Sequence, residues 1–302
     1  VLLCCPAVSS WEWHPFSVAS APQSGAIELY ARIHRGDPKS WTHRLSDHLR
    51  AWQPARDDGS LHAQRAFPGP AGGGPGDAER GLPRGAPAFK VDGPYSAPSQ
   101  ASRVYDRVVL VATGIGVTPF LSILRGTVRH RWPAEAAAAG PGRRARGPSC
   151  VRLVWVARQE ELPAFRWLVE DLVALRAEHL ARAWPFALEV SVRLTSASAR
   201  RAAESPPLAQ LLADLSRRDG ATGRPLVLQR EGRPSAEDWR RELLGLPAPS
   251  EPRAHEGPRS PVVGVVYCGE GRAGRAVARV CAAANAEGGG GPRLEYHEER
   301  FA

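Results

Sequence analysis

The sequence predicts an α/β domain built on a doubly wound parallel sheet, preceded by a smaller β-rich segment. Three observations carry this prediction. From residue 103 onward, short unbroken apolar runs alternate with helical stretches, the pattern of strands buried on both faces and joined by right-handed crossovers. Before residue 102 two short stretches, Trp13–Ala19 and Ala26–His34, read as strands instead, the second with its apolar residues alternating singly. Between the first apolar run and the first helix of the second part lies a glycine-bearing turn, Thr113-Gly114-Ile115-Gly116-Val117-Thr118-Pro119. We therefore divide the chain into 1–102 and 103–302.

Element by element, Trp13–Ala19 and Ala26–His34 read as short strands, the second placing Ile27, Leu29 and Ile33 on one face. Ser40 opens a helix to Trp52 as its N-cap. Val108–Ala112 is a buried strand, followed by a helix over Pro119–Arg131. Val151–Ala157 and Phe186–Leu194 are further strands, with helices over Glu160–Ala183 and Pro207–Arg218. A short strand at Leu226–Gln229 leads to a short helix anchored by Trp239. Val262–Tyr267 is another buried strand, Ala273–Ala286 a helix and Leu294–His297 the last strand. Residues 54–87, 133–148 and 247–261 lack periodicity and are rich in Pro, Gly, Ala or charge; they read as loop inserts.

The chain has 302 residues, 30 of them Gly and 28 Pro, and a charged fraction of 24%, which excludes a wholly disordered protein. It contains no Met, so we read residue 1 as an internal position of a longer protein or a trimmed end. No apolar run reaches the roughly 20 residues of a membrane-spanning helix. The net charge is +9, yet all but two of the 40 basic residues are arginine, the lysines being Lys39 and Lys90. With so much Ala, Gly and Pro, that ratio reads as coding bias, and we expect no nucleic-acid partner. The five cysteines are odd in number and form no C-x-x-C pair, so we expect reduced thiols and neither a disulfide scaffold nor a zinc site. No metal site is expected from the nine histidines.

The glycine turn sits where a phosphate cradle belongs, after a buried strand and before a helix. Gly114 makes the tight turn and Gly116 lets the backbone approach a pyrophosphate. Thr118 suits a helix cap and Pro119 the first helical position, leaving free N–H groups and the helix dipole to face an anion. The pattern is G-x-G-x-x-P, so an ordinary strand–turn–helix connection stands as the alternative. Arg158 follows the second strand where an acidic residue marks preference for NADH; a guanidinium there suits the 2′-phosphate of NADPH, or it is a solvated surface side chain. Arg233, in Gly232-Arg233-Pro234, is a second candidate of the same kind. Cys268-Gly269 ends a strand at the ligand-binding edge, where the thiol either touches a reacting nicotinamide or is a small buried core residue. His14-Pro15-Phe16-Ser17 and Asp92-Gly93-Pro94-Tyr95 read, singly, as a strand start and a tight turn.

Taken in order, these motifs resemble the C-terminal dehydrogenase region of NADPH oxidases, especially the plant respiratory burst oxidases. Cys5-Pro6-Ala7-Val8-Ser9, Glu12-Trp13-His14-Pro15-Phe16-Ser17 and Ser20-Ala21-Pro22 look like the flavin-binding stretch of that family. Arg32, Gly36-Asp37 and Trp41-Thr42 look like its next flavin-contacting stretch, and Val91-Asp92-Gly93-Pro94-Tyr95 continues the match. Gly114 through Phe120, Val156-Ala157-Arg158, Phe165-Arg166-Trp167, Gly232-Arg233-Pro234 and Cys268-Gly269 follow in the family's order. Glu299-Arg300-Phe301 resembles its C-terminal aromatic. The sequence departs at Ser96, where Gly is usual, and at Glu270, where Pro is usual; Ala302 extends past the aromatic, and Trp239 lies further from Gly232-Arg233-Pro234 than usual.

The resemblance implies an α/β NADP-binding domain with a doubly wound parallel sheet, preceded by a partial antiparallel β-barrel flavin-binding domain. It implies FAD held by His14, Pro15, Phe16, Ser17 and Arg32, with Gly93, Pro94 and Tyr95 in the same site. NADPH would lie on Gly114, Gly116, Thr118 and Pro119, with Arg158 and Arg233 at its 2′-phosphate and Cys268 and Gly269 at its nicotinamide end. Phe301 would cover the flavin and move to admit the nicotinamide. Hydride would pass from NADPH to FAD, then electrons singly to haem in an upstream transmembrane part of the same protein and on to dioxygen, from the cytosolic face of a membrane. Two alternatives stand: a ferric-chelate reductase of the same architecture, and a non-catalytic nucleotide-binding remnant.

Overall fold

The computed structural model describes residues 1–33, 36–52, 87–131, 148–184, 186–195, 206–247, 262–288 and 291–300. The chain divides into two compact units, Val1–Ser96 and Ala97–Phe301. The first carries a three-stranded antiparallel sheet in the order β2-β1-β3, from β1 (Leu2–Cys4), β2 (His14–Pro15) and β3 (Lys90–Asp92). Its apolar centre joins Cys5, Trp41 and Leu45, so α1 (Trp41–Trp52) packs its inner face on the sheet. Ser40 caps α1, its hydroxyl accepting the His43 N–H at 3.3 Å. The strands expected at Trp13–Ala19 and Ala26–His34 are corrected: the first shortens to β2, and residues 26–33 contribute only the Val18–Leu29 bridge. Ile27 faces solvent at 58% exposure, so the alternation there buries no common face.

The second unit holds a six-stranded, wholly parallel sheet in the order β7-β6-β5-β4-β8-β9. Its strands are β4 (Arg107–Thr113), β5 (Cys150–Arg158), β6 (Ala187–Thr195), β7 (Leu228–Glu231), β8 (Val262–Cys268) and β9 (Arg293–Glu299). The run Val108–Ala112 is fully buried because helices cover both faces. On one face Val109, Val111, Val263 and Val265 pack with Trp239 and Leu243 of α5 (Ala236–Leu244) and with Val277 and Cys281 of α6 (Gly271–Ala286). The other helices are α2 (Thr118–Arg125), α3 (Arg166–Ala181) and α4 (Pro206–Leu215), with α3 packed on α4 and β6.

Two helices differ from expectation. The span Glu160–Ala183 is a 3-10 turn over Gln159–Phe165 and only then α3, because Pro163 lacks an N–H and would clash with the preceding turn. The span Pro119–Arg131 ends as α helix at Arg125 and continues as a π turn over Gly126–Arg131. The strand expected at Leu226–Gln229 lies at Leu228–Glu231. All five cysteines are free thiols and buried. Of the insert readings, nearly all of 54–87, 133–148 and 247–261 lies outside the described residues, as does Phe301.

The core is sensitive to pH at His179 on α3. Its Nε2–H donates to the Phe186 carbonyl at 2.9 Å and its Nδ1 accepts from Arg176 at 3.0 Å, so both ring nitrogens are used by the neutral form. Burial is the main reason its pKa falls from 6.5 to about 4. A folded value below the unfolded one means that the unfolded chain binds more protons between those limits. Stability is therefore complete above pH 6.5 and falls as the pH drops towards 4. We predict that His179→Gln flattens this dependence. Denaturant midpoints at pH 7 and pH 5 measure it, and the wild-type chain should lose on the order of 2 kcal/mol more than the variant.

Candidate functional site

Strand order reverses between β4 and β8: β5, β6 and β7 continue to one side of β4, and β9 lies beyond β8 on the other. Chains leaving the carboxyl ends of β4 and β8 thus part to opposite sides and open a crevice, the place where such sheets bind ligands. The register pairs Ala112 with Cys268, so Gly114–Val117 and Gly269-Glu270 emerge side by side. Their backbones are in contact. A Cβ on Gly116 would lie 2.6 Å from the Cys268 carbonyl carbon, and one on Gly269 would lie 2.8 Å from the Thr113 carbonyl oxygen. Gly269 adopts φ +142°.

A hydrogen-bond ring joins the two loops. The Glu270 N–H donates to Thr113 Oγ1 at 2.6 Å, and the Tyr267 hydroxyl donates to the Glu270 carbonyl at 2.5 Å. Thr113 Oγ1 and the Tyr267 oxygen lie 3.2 Å apart and close the ring. Burial pushes the Tyr267 phenol up to about 12, so it keeps its proton as donor. The Trp155 indole of β5 donates to the Gly114 carbonyl at 3.0 Å, turning that carbonyl inward.

Gly114 has φ +53°, and a Cβ built there meets nothing within 4 Å, so the crevice is open above it. The 3-10 turn Gly114–Val117 runs directly into α2, and no side chain caps either start. Thr118 is not the cap expected: it is the first residue of α2, and its hydroxyl donates back to the Ile115 carbonyl at 3.1 Å. Pro119 is accordingly the second helical residue, where a missing N–H is also harmless. The amino end of α6 differs. Glu270 caps it, its carboxylate accepting from the Arg272 and Ala273 N–H groups at 3.0 and 3.3 Å. Of the two helix starts at the crevice, only that of α2 carries no side-chain cap, and no carboxylate there opposes an anion.

Cys268 is fully buried and burial pushes its thiol far up, so it is a neutral wall residue here, while Gly269 and Glu270 carry the accessible surface. Arg158, the last residue of β5, and Arg233, two residues beyond β7, are both exposed at the same edge of the sheet. Neither forms an ion pair with a described residue. An open glycine turn, uncapped N–H groups and two exposed guanidinium groups fit a dianionic dinucleotide. Sequence reasoning missed Thr113, Trp155 and Glu270 as builders of this crevice; the replacement of a usual Pro by Glu270 was the one signal available, since Glu supplies an N–H that Pro lacks.

In the first unit, β1 runs antiparallel to both neighbours, with Leu2 opposite Pro15 on one side and Asp92 on the other. Phe16-Ser17 and Gly93-Pro94-Tyr95 therefore leave the sheet at the same end. The Phe16 N–H donates to the Val1 carbonyl at 2.9 Å, and the Tyr95 hydroxyl donates to the Asp92 carboxylate. The His14 ring stacks on Trp41 at 4.3 Å between centroids, and its buried Nε2 has no partner among the described residues. An orphaned ring nitrogen, exposed Pro15 and half-exposed Tyr95 suit a flat aromatic nucleotide. Arg32 is exposed and lies outside the strands, past the Val18–Leu29 bridge.

Residues 1–99 match the FAD-binding domain family, and residues 105–282 match the ferric reductase NAD binding domain. The chain is similar to respiratory burst oxidase homolog protein F of Arabidopsis thaliana, 27% identical over 98% of this chain and 30% of that protein. Respiratory burst oxidase homolog protein A of Solanum tuberosum is 38% identical over 42% of this chain and 11% of its own length. Protein B of Oryza sativa subsp. japonica is 35% identical over 43% of this chain and 13% of its own length. The chain thus spans less than a third of each of these relatives. No described helix is long and apolar enough to cross a membrane.

The two turn glycines should behave differently when substituted. Gly116→Ala forces the β4 and β8 loops apart and should cost about 1–3 kcal/mol, with loss of dinucleotide binding. Gly114→Ala has space and pays only for its left-handed backbone, about 1 kcal/mol. Thermal unfolding together with calorimetric titration of NADP⁺ measures both.

Proposed function

The chain belongs to the ferric reductase NAD binding domain family, and from that membership we propose that it is the dehydrogenase portion of an NADPH oxidase. When bound, the two nucleotides supply the redox chemistry, a hydride passing from nicotinamide to flavin. The residues of this chain bind and orient. Gly114 and Gly116 admit the pyrophosphate to the backbone, and the dipole at the amino end of α2, which no side chain caps, stabilises its charge. Arg158 and Arg233 hold the 2′-phosphate and so select NADPH over NADH. Cys268 and Gly269 form the wall at the nicotinamide end, with the thiol kept neutral by burial. His14 to Ser17, with Arg32, Gly93, Pro94 and Tyr95, hold FAD, and Phe301 shields it. In the whole protein the electrons go on to haem in an upstream membrane part, then to dioxygen, giving superoxide, with this chain on the cytosolic face.

The observation that carries this reading is the open glycine turn at the β4/β8 reversal, with two exposed arginines on the same sheet edge. A second reading, a ferric-chelate reductase, is favoured by the family matched over residues 105–282. The two differ in acceptor and share the reactions of this chain.

The test has two stages. The chain loaded with FAD is mixed anaerobically with NADPH or NADH, and the flavin's visible absorbance is followed. Bleaching is expected, with kcat/KM about tenfold or more higher for NADPH. Binding of both nucleotides without bleaching would mean a non-catalytic remnant. Membranes holding the full-length parent should then give superoxide-dismutase-sensitive reduction of cytochrome c. Ferric-chelate reduction that ignores dismutase would move the assignment to the ferric reductases.

A further inference from the structure

Arg193 lies on β6 and is 6% exposed, a burial that is costly for a permanent cation. Its guanidinium grips both ends of one loop. Nη1 donates to the carbonyl of Glu231, the last residue of β7, at 3.2 Å. Nη2 pairs with Asp238 Oδ1, in the first turn of α5, at 2.9 Å. Between these two points run Gly232, Arg233, Pro234 and Ser235, then Ala236 and Glu237, the first two residues of α5.

Other bonds complete the frame. The Gly232 N–H donates to the Leu194 carbonyl at 2.9 Å, with Gly232 at φ +79°. Ser235 and Asp238 form a capping box, and Asp238 Oδ2 accepts both the N–H and the hydroxyl of Ser235 at 2.9 Å. One Asp238 oxygen thus serves the helix cap and the other serves Arg193. Arg241 stands further from that oxygen, at 3.4 Å. Inside this frame Arg233 is exposed and forms no ion pair with a described residue.

From this geometry we infer that Arg193 is a positioning residue for Arg233 and thereby helps set the preference for a 2′-phosphorylated dinucleotide. The inference rests on the reading of Arg233 as a 2′-phosphate contact. A loop already held in place does not pay the ordering cost when the phosphate arrives, so the guanidinium of Arg233 binds more tightly than it would from a mobile loop. A lysine at 193 offers one compact charge and cannot span both the Glu231 carbonyl and the Asp238 carboxylate in the same planar fork.

The experiment is a double-mutant cycle on the full chain, read by calorimetric binding of adenosine 2′,5′-bisphosphate and of 5′-AMP. Arg193→Met should weaken the bisphosphate about tenfold and leave 5′-AMP within about twofold. Arg193→Lys should fall between wild type and Arg193→Met. The double variant Arg193→Met with Arg233→Met should bind no more weakly than Arg233→Met alone, because the first residue acts through the second. Where Arg193→Met does not fold, Arg193→Lys carries the same cycle. Additive losses, or equal losses for both ligands, would make Arg193 a general stabiliser and overturn the inference. Wild-type affinity in both Arg193 variants, with a loss in Arg233→Met, overturns the positioning role alone. Unchanged bisphosphate binding in Arg233→Met overturns the reading of Arg233 and the inference with it.

Discussion

At the point where strand order reverses, two adjacent parallel strands, β4 and β8, release their chains within one register step of each other. The loops then have to turn in opposite directions without room for side chains between them. Gly116 against the Cys268 carbonyl and Gly269 against the Thr113 backbone are the consequences. With two Cβ atoms removed, the backbones approach closely enough for Thr113, Tyr267 and Glu270 to close a hydrogen-bond ring. The rest of the candidate site depends on this contact. It sets the Gly114–Val117 turn, which leads into α2, beside Gly269 and Glu270.

Charge then distinguishes two helix starts that would otherwise compete. Glu270 places a carboxylate on the amino end of α6, whereas the turn into α2 has no side-chain cap. A dianionic ligand is repelled by the first and attracted by the second. The arginines of this unit also sort into two kinds. Arg152 and Arg193 are buried and hold α5 by its two ends, Arg152 through the carbonyls of Glu242 and Gly245 and Arg193 through Asp238. Arg158 and Arg233 are exposed at the carboxyl end of the sheet.

Much of this was legible in the sequence, for a physical reason. A strand buried on both faces is apolar at nearly every position, so Val108–Ala112, Val151–Ala157 with Arg152 as its one exception, and Val262–Tyr267 announced themselves, and the glycine turn marked the reversal. The first unit was less legible, since a short strand with one bridge partner, such as the stretch around Leu29, carries the same alternation as a fully paired one. Pro163 was visible, yet the long apolar period around it concealed that the helix starts only at Arg166. Thr118 looked like a cap and is not one, because the preceding 3-10 turn already supplies its backbone partner at Ile115. The roles of Arg152 and Arg193 were hidden among so many arginines; only their placement within strands β5 and β6, where a charge is expensive, distinguishes them.

The central claim is that the β4/β8 reversal holds a dinucleotide by its pyrophosphate at the start of α2 and not at the start of α6. Amide hydrogen exchange of the full chain, with and without saturating NADP⁺, tests this most directly. Slowed exchange at Ile115, Gly116 and Val117, with Arg272 and Ala273 unchanged, is the predicted result. Binding that slows exchange at Arg272 and Ala273, or that leaves the Gly114–Val117 turn untouched, would contradict it.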